Sequence, residues 1–200
     1  WDIGQPDSYH LCTAVVALLG LWLSYRVARR ILPAWWAVFA MLLVLITPRL
    51  AGHSFGNFKD IPFATLWLAC LLTLIDAART PTWRAILLHG LAFGGLIMLR
   101  IGGLMFLPVS GLGFLLGALQ ASKRGEDPQW NQRMVRGLCG VSLALALHHL
   151  SYPYLLLNPI DGYVELLKTQ TSFDWGGQVL TLGMALAPAE LPRWYAPVWL

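Results

Sequence analysis

Charged residues are scarce in this sequence: Asp, Glu, Lys and Arg make up 12% of its 200 residues, whereas a soluble globular domain has about 25%. Hydrophobic residues make up 57%, and the mean hydropathy is +0.60. So few charges exclude a single soluble core. We therefore expect an integral membrane protein, because most of this chain has to be surrounded by lipid.

Cysteine is also scarce, and Cys12, Cys70 and Cys139 stand alone, without the paired spacing of a zinc site or a redox motif. The sequence lacks a glycine-rich nucleotide-binding loop after a strand and a Ser/His/Asp nucleophile motif. Its 14 Lys and Arg outnumber its 10 acids, but they form no basic stripe. We predict no nucleic-acid partner. No cofactor or metal is indicated, although a divalent cation is not excluded.

Long apolar runs are what the sequence does have. They predict an all-α integral membrane protein, a polytopic bundle of about six transmembrane helices. We expect one partial transmembrane domain over residues 1–200 and a surface-lying outer loop over 152–193, in which 162–169 forms a short interfacial helix. The start at Trp1 and the apolar stretch 195–200 at the other end indicate an internal fragment of a longer protein. The predicted helices are 11–25, 35–47, 62–75, 86–99, 104–119 and 135–150.

The connections between these runs alternate between many and few basic residues, and this alternation predicts the topology. Nine basic residues follow the first, third and fifth runs and mark the cytoplasmic side by the positive-inside rule: Arg26, Arg29, Arg30, Arg79, Arg84, Lys123, Arg124, Arg133 and Arg136. The other five are on the opposite side: Arg49, Lys59, Arg100, Lys168 and Arg193. We therefore expect the connections after the second, fourth and sixth helices to face the periplasm or the lumen, with the protein in a bacterial inner membrane or its equivalent.

The polar segment 47–62 is the first candidate site, because it gathers five polar side chains between two helix ends: Arg49, His53, Asn57, Lys59 and Asp60. Pro62 suits the first turn of a helix, and a helix N-terminus favours an anion. Arg49 and Lys59 could hold a phosphate or a pyrophosphate there, while Asp60 could orient a sugar hydroxyl, bind a metal or position Lys59. In the alternative interpretation, Arg49 contacts lipid headgroups, Lys59 pairs with Asp60, and His53 is an interfacial side chain.

Arg100 is the second candidate, because apolar residues lie on both sides of it in the segment 96–104. An arginine at the bilayer centre costs at least roughly 2.5 kcal/mol unless it is paired or reaches the interface. A binding role and simple snorkelling to headgroups both stay open. Gly102 and Gly103 predict a tight turn after it. The weaker candidates are His89, His148, His149 and Asp174.

Three segments together resemble one family. Residues 47–49, 53–57 and 59–63 resemble an outer-loop motif of the protein mannosyltransferase-like glycosyltransferases, of the dolichyl-phosphate-mannose-protein mannosyltransferase type, in the GT-C superfamily. Residues 100–103 and 191–199 resemble further segments of those proteins. The resemblance implies a GT-C-like fold and an inverting glycosyltransferase that uses a polyprenyl-phosphate-linked sugar donor. Membrane lipid is the other implied partner, and the sugar and the acceptor stay open.

The same resemblance implies roles for the candidate residues. Asp60 matches the second acidic position of the site, and Lys59 is its neighbour on a phosphate or a carboxylate. His53 and Asn57 shape the loop, and Arg100 holds the lipid phosphate. The first acidic motif of the family, which carries the catalytic base, is missing ahead of the first helix, so we expect the isolated fragment to be inactive. The alternative function is a transporter or flippase of lipid-linked or anionic substrates, which also needs cations in the membrane.

Overall fold

The structure, a computed structural model, describes residues 5–126, 130–171, 177–181, 184–187 and 190–192. Each predicted run overlaps a helix there. A 3₁₀ helix, Ile101–Met105, precedes the sixth α-helix. The α-helices are α1 (Gln5–Ala28), α2 (Ala34–Ile46), α3 (Pro48–Gly56), α4 (Asp60–Arg79), α5 (Trp83–Leu99), α6 (Phe106–Lys123), α7 (Trp130–Ser151), α8 (Pro153–Leu157) and α9 (Asp161–Thr171).

Helix α3 lies within the polar segment 47–62, which was predicted as an outer loop between two helix ends. Thr47 has an extended backbone, because a residue that precedes proline disfavours the helical conformation. Helix α2 therefore ends at Ile46. Pro48 then occupies the first turn of α3, where its missing N–H costs nothing. Residues Ala34–Ile46 and Leu50–Gly56 meet at an angle of 67°, so the chain turns sharply at this point and continues as a helix.

The six membrane-crossing helices that were predicted are not all confirmed by helix length. In the described part of the chain, four helical segments are long and apolar enough to cross a membrane, or five if the bent pair α2 and α3 counts as one span. Helix α5 is apolar but has 17 residues, about 25 Å at 1.5 Å per residue. The hydrocarbon core of a bilayer is roughly 30 Å thick. The structure therefore supports an all-helical membrane bundle with four or five spans by length.

The core of the bundle forms where α4, α5, α6 and α7 meet. Phe93 of α5 and Phe106 of α6 are fully buried there, with their ring centroids 5.8 Å apart. Helices α5 and α7 approach closely because glycines face one another. A Cβ atom built on Gly90 would lie 2.8 Å from the backbone oxygen of Gly140, so a larger residue at position 90 would push the two helices apart.

The connections between helices gather at two opposite ends of the bundle. At one end, which we call the basic end, Arg30 pairs with Asp76 at 2.6 Å and Arg79 donates to the backbone oxygen of Arg30 at 2.7 Å. At the other end, which we call the site end, Arg100 pairs with Asp60. The hydroxyl of Tyr152 also donates there to the backbone oxygen of Met98 at 3.3 Å. This grouping of the connections matches the one that the basic residues predict.

The predicted outer loop over 152–193 has more regular structure than expected. Helix α9 overlaps the predicted short helix over 162–169, and α8 precedes it. Two short strands, β1 (Val179–Thr181) and β2 (Met184–Leu186), then pair antiparallel, with Leu180 opposite Ala185. The sequence analysis did not predict this hairpin. Asp174 and Arg193 lie outside the described residues.

Candidate functional site

The candidate site is built around the first turn of α4, and Asn57 organises it. The Asn57 Oδ1 atom accepts hydrogen bonds from the backbone N–H groups of Lys59 at 3.2 Å and Asp60 at 2.9 Å. This is an Asx turn, in which a short side chain replaces a backbone acceptor. It satisfies two N–H groups at the start of α4 that have no partner within the helix. The turn fixes where Asp60 enters the helix.

The amide nitrogen of Asn57 links two further polar side chains. Its Nδ2 atom donates to Asp60 Oδ2 at 2.8 Å and to His53 Nδ1 at 3.2 Å. An amide nitrogen can only donate, so His53 Nδ1 is the acceptor in this contact. Both the oxygen and the nitrogen of the Asn57 amide therefore bond to residues of the same short segment, 53–60. Asn57 is therefore a positioning residue that holds Asp60 and His53 in one cluster.

Arg100 comes to this cluster from a distant part of the sequence. Its Nη1 atom donates to Asp60 Oδ1 at 2.8 Å, and both side chains are about half exposed, 49% for Arg100 and 51% for Asp60. The expected alternative pair was Lys59 with Asp60, but the carboxylate pairs with Arg100 instead. An arginine has five N–H donors, and this bond uses one. The arrangement leaves the guanidinium able to bind a further anion.

A tight turn places Arg100 at the end of α5. The 3₁₀ helix begins directly after it, and a Cβ atom on Gly103 would lie 2.9 Å from the backbone oxygen of Leu96. Gly103 is therefore required for this close return of the chain. At Gly102 no atom lies within 4 Å of an added Cβ, so a larger residue has room there. The turn that the glycine pair predicted is present, and Gly103 is the residue on which it depends.

Lys59 lies at the edge of this cluster. The Nζ atom of Lys59 lies 5.6 Å from the centroid of the Phe58 ring, and Lys59 makes no ion pair within the described part of the chain. Arg49 is part of α3, but its side chain lies outside the described residues. The structure thus brings together His53, Asn57, Asp60 and Arg100, with Lys59 beside them.

Two side chains of helix α1 contact the end of α3 and Phe58, and no sequence pattern predicted these contacts. The Tyr9 hydroxyl donates to the backbone oxygen of Gly56 at 3.3 Å, and the Tyr9 ring lies 5.3 Å from the ring of Phe58. His10 donates through Nδ1 to the backbone oxygen of Phe55. These side chains hold the end of α3 against α1. No local pattern predicts contacts over more than 40 residues, so only the fold reveals them.

An apolar groove begins beside the polar cluster. It has a volume of about 400 Å³ and lies among α1, the bent pair α2 and α3, and the first half of α4. Ile61, the residue that follows Asp60, is in its lining, together with Phe63 and Thr65 of α4 and Gly20 of α1. The Thr65 hydroxyl donates to the backbone oxygen of Val16 at 3.2 Å, which ties the two walls together. A chain of apolar character therefore fits next to the charged end of α4.

The other polar candidates belong to the packing of the bundle. His89 is fully buried, with Nε2 at 3.1 Å from the Ser110 hydroxyl and Nδ1 at 3.3 Å from the Thr73 hydroxyl. It links α5 to α6 and α4. His148 is also fully buried, and its Nδ1 atom lies 2.9 Å from the Tyr163 hydroxyl. Among the residues that the structure describes, no group of three His, Cys, Asp or Glu side chains could hold a metal ion.

The comparisons with known proteins agree with the resemblance of the motifs. A family model described as dolichyl-phosphate-mannose-protein mannosyltransferase matches residues 5–152. This is most of the chain and includes His53, Asn57, Asp60 and Arg100. No curated protein and no solved structure was found to match. The chain therefore belongs to the dolichyl-phosphate-mannose-protein mannosyltransferase family, a family of membrane glycosyltransferases.

Proposed function

We propose that this chain is part of an inverting glycosyltransferase of GT-C-like fold, which transfers a sugar from a polyprenyl-phosphate-linked donor to an acceptor. The observation that carries this proposal is the charged pair of Asp60 and Arg100 at the site end, directly beside the apolar groove. A donor of this class has a long hydrocarbon chain, a phosphate and a sugar. The groove, the guanidinium and the carboxylate match these three parts in that order.

Arg100 is proposed to bind the phosphate of the donor. When the bond between the sugar C1 atom and the phosphate oxygen breaks, negative charge develops on the leaving phosphate. A fixed guanidinium stabilises that charge without having to reorient. Asp60 holds the guanidinium through one N–H, so the others remain for phosphate oxygens. Lys59 is close enough along the chain to add a second positive charge at the same end of α4.

Asp60 is proposed to have two roles, one toward Arg100 and one toward the sugar. Its Oδ1 and Oδ2 atoms each accept one bond from the protein, and a carboxylate has about four acceptor positions. The remaining positions face outward at a half-exposed side chain and can accept from a sugar hydroxyl. The acceptor oxygen attacks C1 from the face opposite the phosphate, and its proton goes to a general base.

The site end is proposed to face the periplasm or the lumen, in a bacterial inner membrane or its equivalent. Nine of the 14 basic residues of the chain lie in the segments that gather at the basic end, which the positive-inside rule assigns to the cytoplasm. The transporter alternative is not favoured. It predicts polar groups near the middle of the membrane, whereas the charged cluster lies at one end of the bundle and the family is one of glycosyltransferases.

The donor class is tested with the full-length protein in membranes. We expect transfer of labelled sugar from a polyprenyl-phosphate donor and no transfer from the matching nucleotide sugar once its conversion to lipid-linked sugar is blocked. Shortening the polyprenyl chain to one isoprene unit should reduce transfer, because the groove then stays empty. Equal transfer from the nucleotide sugar would contradict the proposal. Movement of the intact donor across the membrane without transfer would favour the transporter.

A further inference from the structure

A second polar cavity lies at the basic end, on the opposite side of the bundle from the candidate site. It has a volume of about 380 Å³ and is formed where α4 ends, α5 begins and α7 begins. It is separate from the charged cluster around Asp60 and has no part in the proposed transfer. Three of the seven described residues in its lining are arginines, and the lining consists of Arg79, Thr80, Pro81, Thr82, Glu126, Arg133 and Arg136.

The arginines of this cavity are held in place by backbone oxygens. Arg136 donates through Nη1 to the backbone oxygen of Pro81, and its guanidinium lies 5.4 Å from the centroid of the Trp83 ring. Arg79 donates through Nη2 to the backbone oxygen of Arg30. Each of these bonds uses one of five N–H donors. The two guanidinium groups are thus fixed at the wall of the cavity with donors to spare.

The charge of the cavity favours an anion. Among the described residues of its lining, three are arginines and one, Glu126, is a carboxylate. That carboxylate is itself paired with Arg124 at 3.0 Å, so it neutralises little of the positive charge. Arg133 is buried, with 5% of its surface exposed, and donates to the backbone oxygen of Ala78. The fixed guanidinium groups of Arg79 and Arg136 at the wall of the cavity attract a negative group.

The N-terminus of α5 adds to the positive electrostatic potential of the cavity. Thr82 caps this helix, since its Oγ1 atom accepts from the backbone N–H of Ala85 at 3.3 Å, and Thr82 also lines the cavity. The N-terminus of a 17-residue helix has a partial positive charge and N–H groups without partners inside the helix. The cavity therefore combines arginine donors with a helix N-terminus, the two features that bind phosphate groups in proteins.

Two exposed tryptophans begin helices that border the cavity. Trp83 begins α5, Trp130 begins α7, and their exposed fractions are 53% and 41%. Tryptophan is enriched at the membrane–water interface, where the lipid headgroups are. Trp83 also packs against Arg136 of the cavity. Tryptophans at these two helix starts therefore favour a position of the cavity at the depth of the lipid headgroups.

We propose that this cavity binds the phosphate headgroup of an anionic phospholipid. The lipid would lie with its phosphate against Arg79 and Arg136 and the start of α5, and its acyl chains along the exposed apolar surface of the neighbouring helices. Such a lipid would link the end of α4 to the beginning of α7. Basic pockets between transmembrane helices on the cytoplasmic side are suited to this role.

The test measures lipid binding, so its outcome is independent of sugar transfer. The full-length protein is placed in detergent micelles with phosphatidylglycerol or phosphatidylcholine, and bound lipid is counted by native mass spectrometry. We expect bound phosphatidylglycerol, and at least about tenfold weaker binding in the double variant Arg79→Gln with Arg136→Gln, because each loses a charge-assisted hydrogen bond. The control is Arg29→Gln with Lys123→Gln, which removes the same charge from exposed residues at the same end. It should bind within about threefold of the wild type, because exposed charges contribute little individually.

Three results would overturn the proposal. Equal losses in both double variants would mean only general attraction of the surface for anionic lipid. Equal binding of phosphatidylcholine would remove the role of headgroup charge. Displacement of the lipid by millimolar inorganic phosphate would assign the cavity to a soluble anion. If the variant does not fold, photoreactive phosphatidylglycerol on the wild-type protein decides: crosslinks to 79–84 and 133–136 support the site, and crosslinks confined to other segments exclude it.

Discussion

At the scale of single residues, the candidate site depends on how Asn57 uses each part of its amide group. The side chain accepts from two backbone N–H groups and donates to Asp60 and His53. Asp60 and Arg100 are each half exposed, and an exposed ion pair contributes at most about 1 kcal/mol to stability. The pair therefore contributes little to folding, and its position at the end of α4 calls for a functional explanation.

Asn57→Ala should destabilise the protein by about 1 kcal/mol, in the range of a lost helix cap. The two backbone N–H groups at the start of α4 would lose their acceptor, and Asp60 would lose a donor. The measurement is the free energy of unfolding in detergent micelles. Asn131→Ala is the matched control, because Asn131 is exposed in the first turns of α7, and its effect should stay within about 0.5 kcal/mol. An equal, small effect of both substitutions would show that the Asx turn does not hold the site.

The sequence predicted the composition of the site but not its pairing. Asp60, Asn57 and His53 are neighbours in the chain, so their polar segment between apolar runs was visible. Arg100 was visible because an arginine among apolar residues needs an explanation. That Arg100 rather than Lys59 pairs with Asp60 depends on how α4 and α5 pack over 40 residues of separation. Tyr9 and His10 were missed for the same reason, since nothing local indicates a contact with α3.

At the scale of elements, small residues set the spacing of the helices. Gly90 of α5 faces Gly140 of α7 across a gap that has no room for a methyl group, whereas Gly111 of α6 has no atom within 4 Å of an added Cβ. Without water to drive association, helices in a membrane depend on close packing of this kind. The glycines of this chain therefore differ greatly in what a substitution would cost.

Gly90→Ala should destabilise the bundle by about 1–3 kcal/mol, because the added Cβ would meet a backbone oxygen that cannot rotate away. Gly111→Ala should leave stability unchanged or raise it by up to about 1 kcal/mol, since alanine favours a helix over glycine. Both variants are compared by thermal unfolding in the same micelles. Similar melting temperatures for the two would contradict the close packing of α5 on α7.

The presence of the long helices was predictable from the sequence, but their boundaries were not. Apolar runs indicated the helices, but the runs are shorter than the helices, since α1 begins at Gln5 and α4 continues to Arg79. Polar residues such as Tyr9, His10 and Asp76 extend a helix without extending its apolar run. Helix α3 was missed because its apolar content is low. The hairpin of β1 and β2 was missed because its strands have three residues each, too few to show an alternating pattern.

At the scale of the whole molecule, the two ends of the bundle have different chemistry. The basic end holds the fixed arginines Arg79, Arg133 and Arg136 around a polar cavity. The site end holds the pair of Asp60 and Arg100 beside an apolar groove. We predict that the first end is cytoplasmic and the second faces the periplasm or the lumen.

This orientation is measured by labelling single cysteines in intact cells with a membrane-impermeant maleimide. Cys12 and Cys139 are exposed and are first replaced by serine, while the buried Cys70 is retained. Gly102→Cys lies at the open turn of the site end and should react in intact cells. Ser122→Cys lies at the basic end and should react only after permeabilisation. The reverse pattern would invert the proposed topology and place the site in the cytoplasm.

The most direct test of the central claim compares two aspartates of the same helix. Asp60 and Asp76 are both in α4, each pairs with an arginine, and each is about half exposed, but they lie at opposite ends. We predict that Asp60→Asn lowers sugar transfer from the polyprenyl-phosphate donor by about 100-fold or more, as for loss of an interaction of about 3 kcal/mol in the transition state. Asp76→Asn should transfer at close to the wild-type rate for equal amounts of folded protein. Full activity of Asp60→Asn, or equal losses in both variants, would contradict the assignment of the site to the Asp60 end of the bundle.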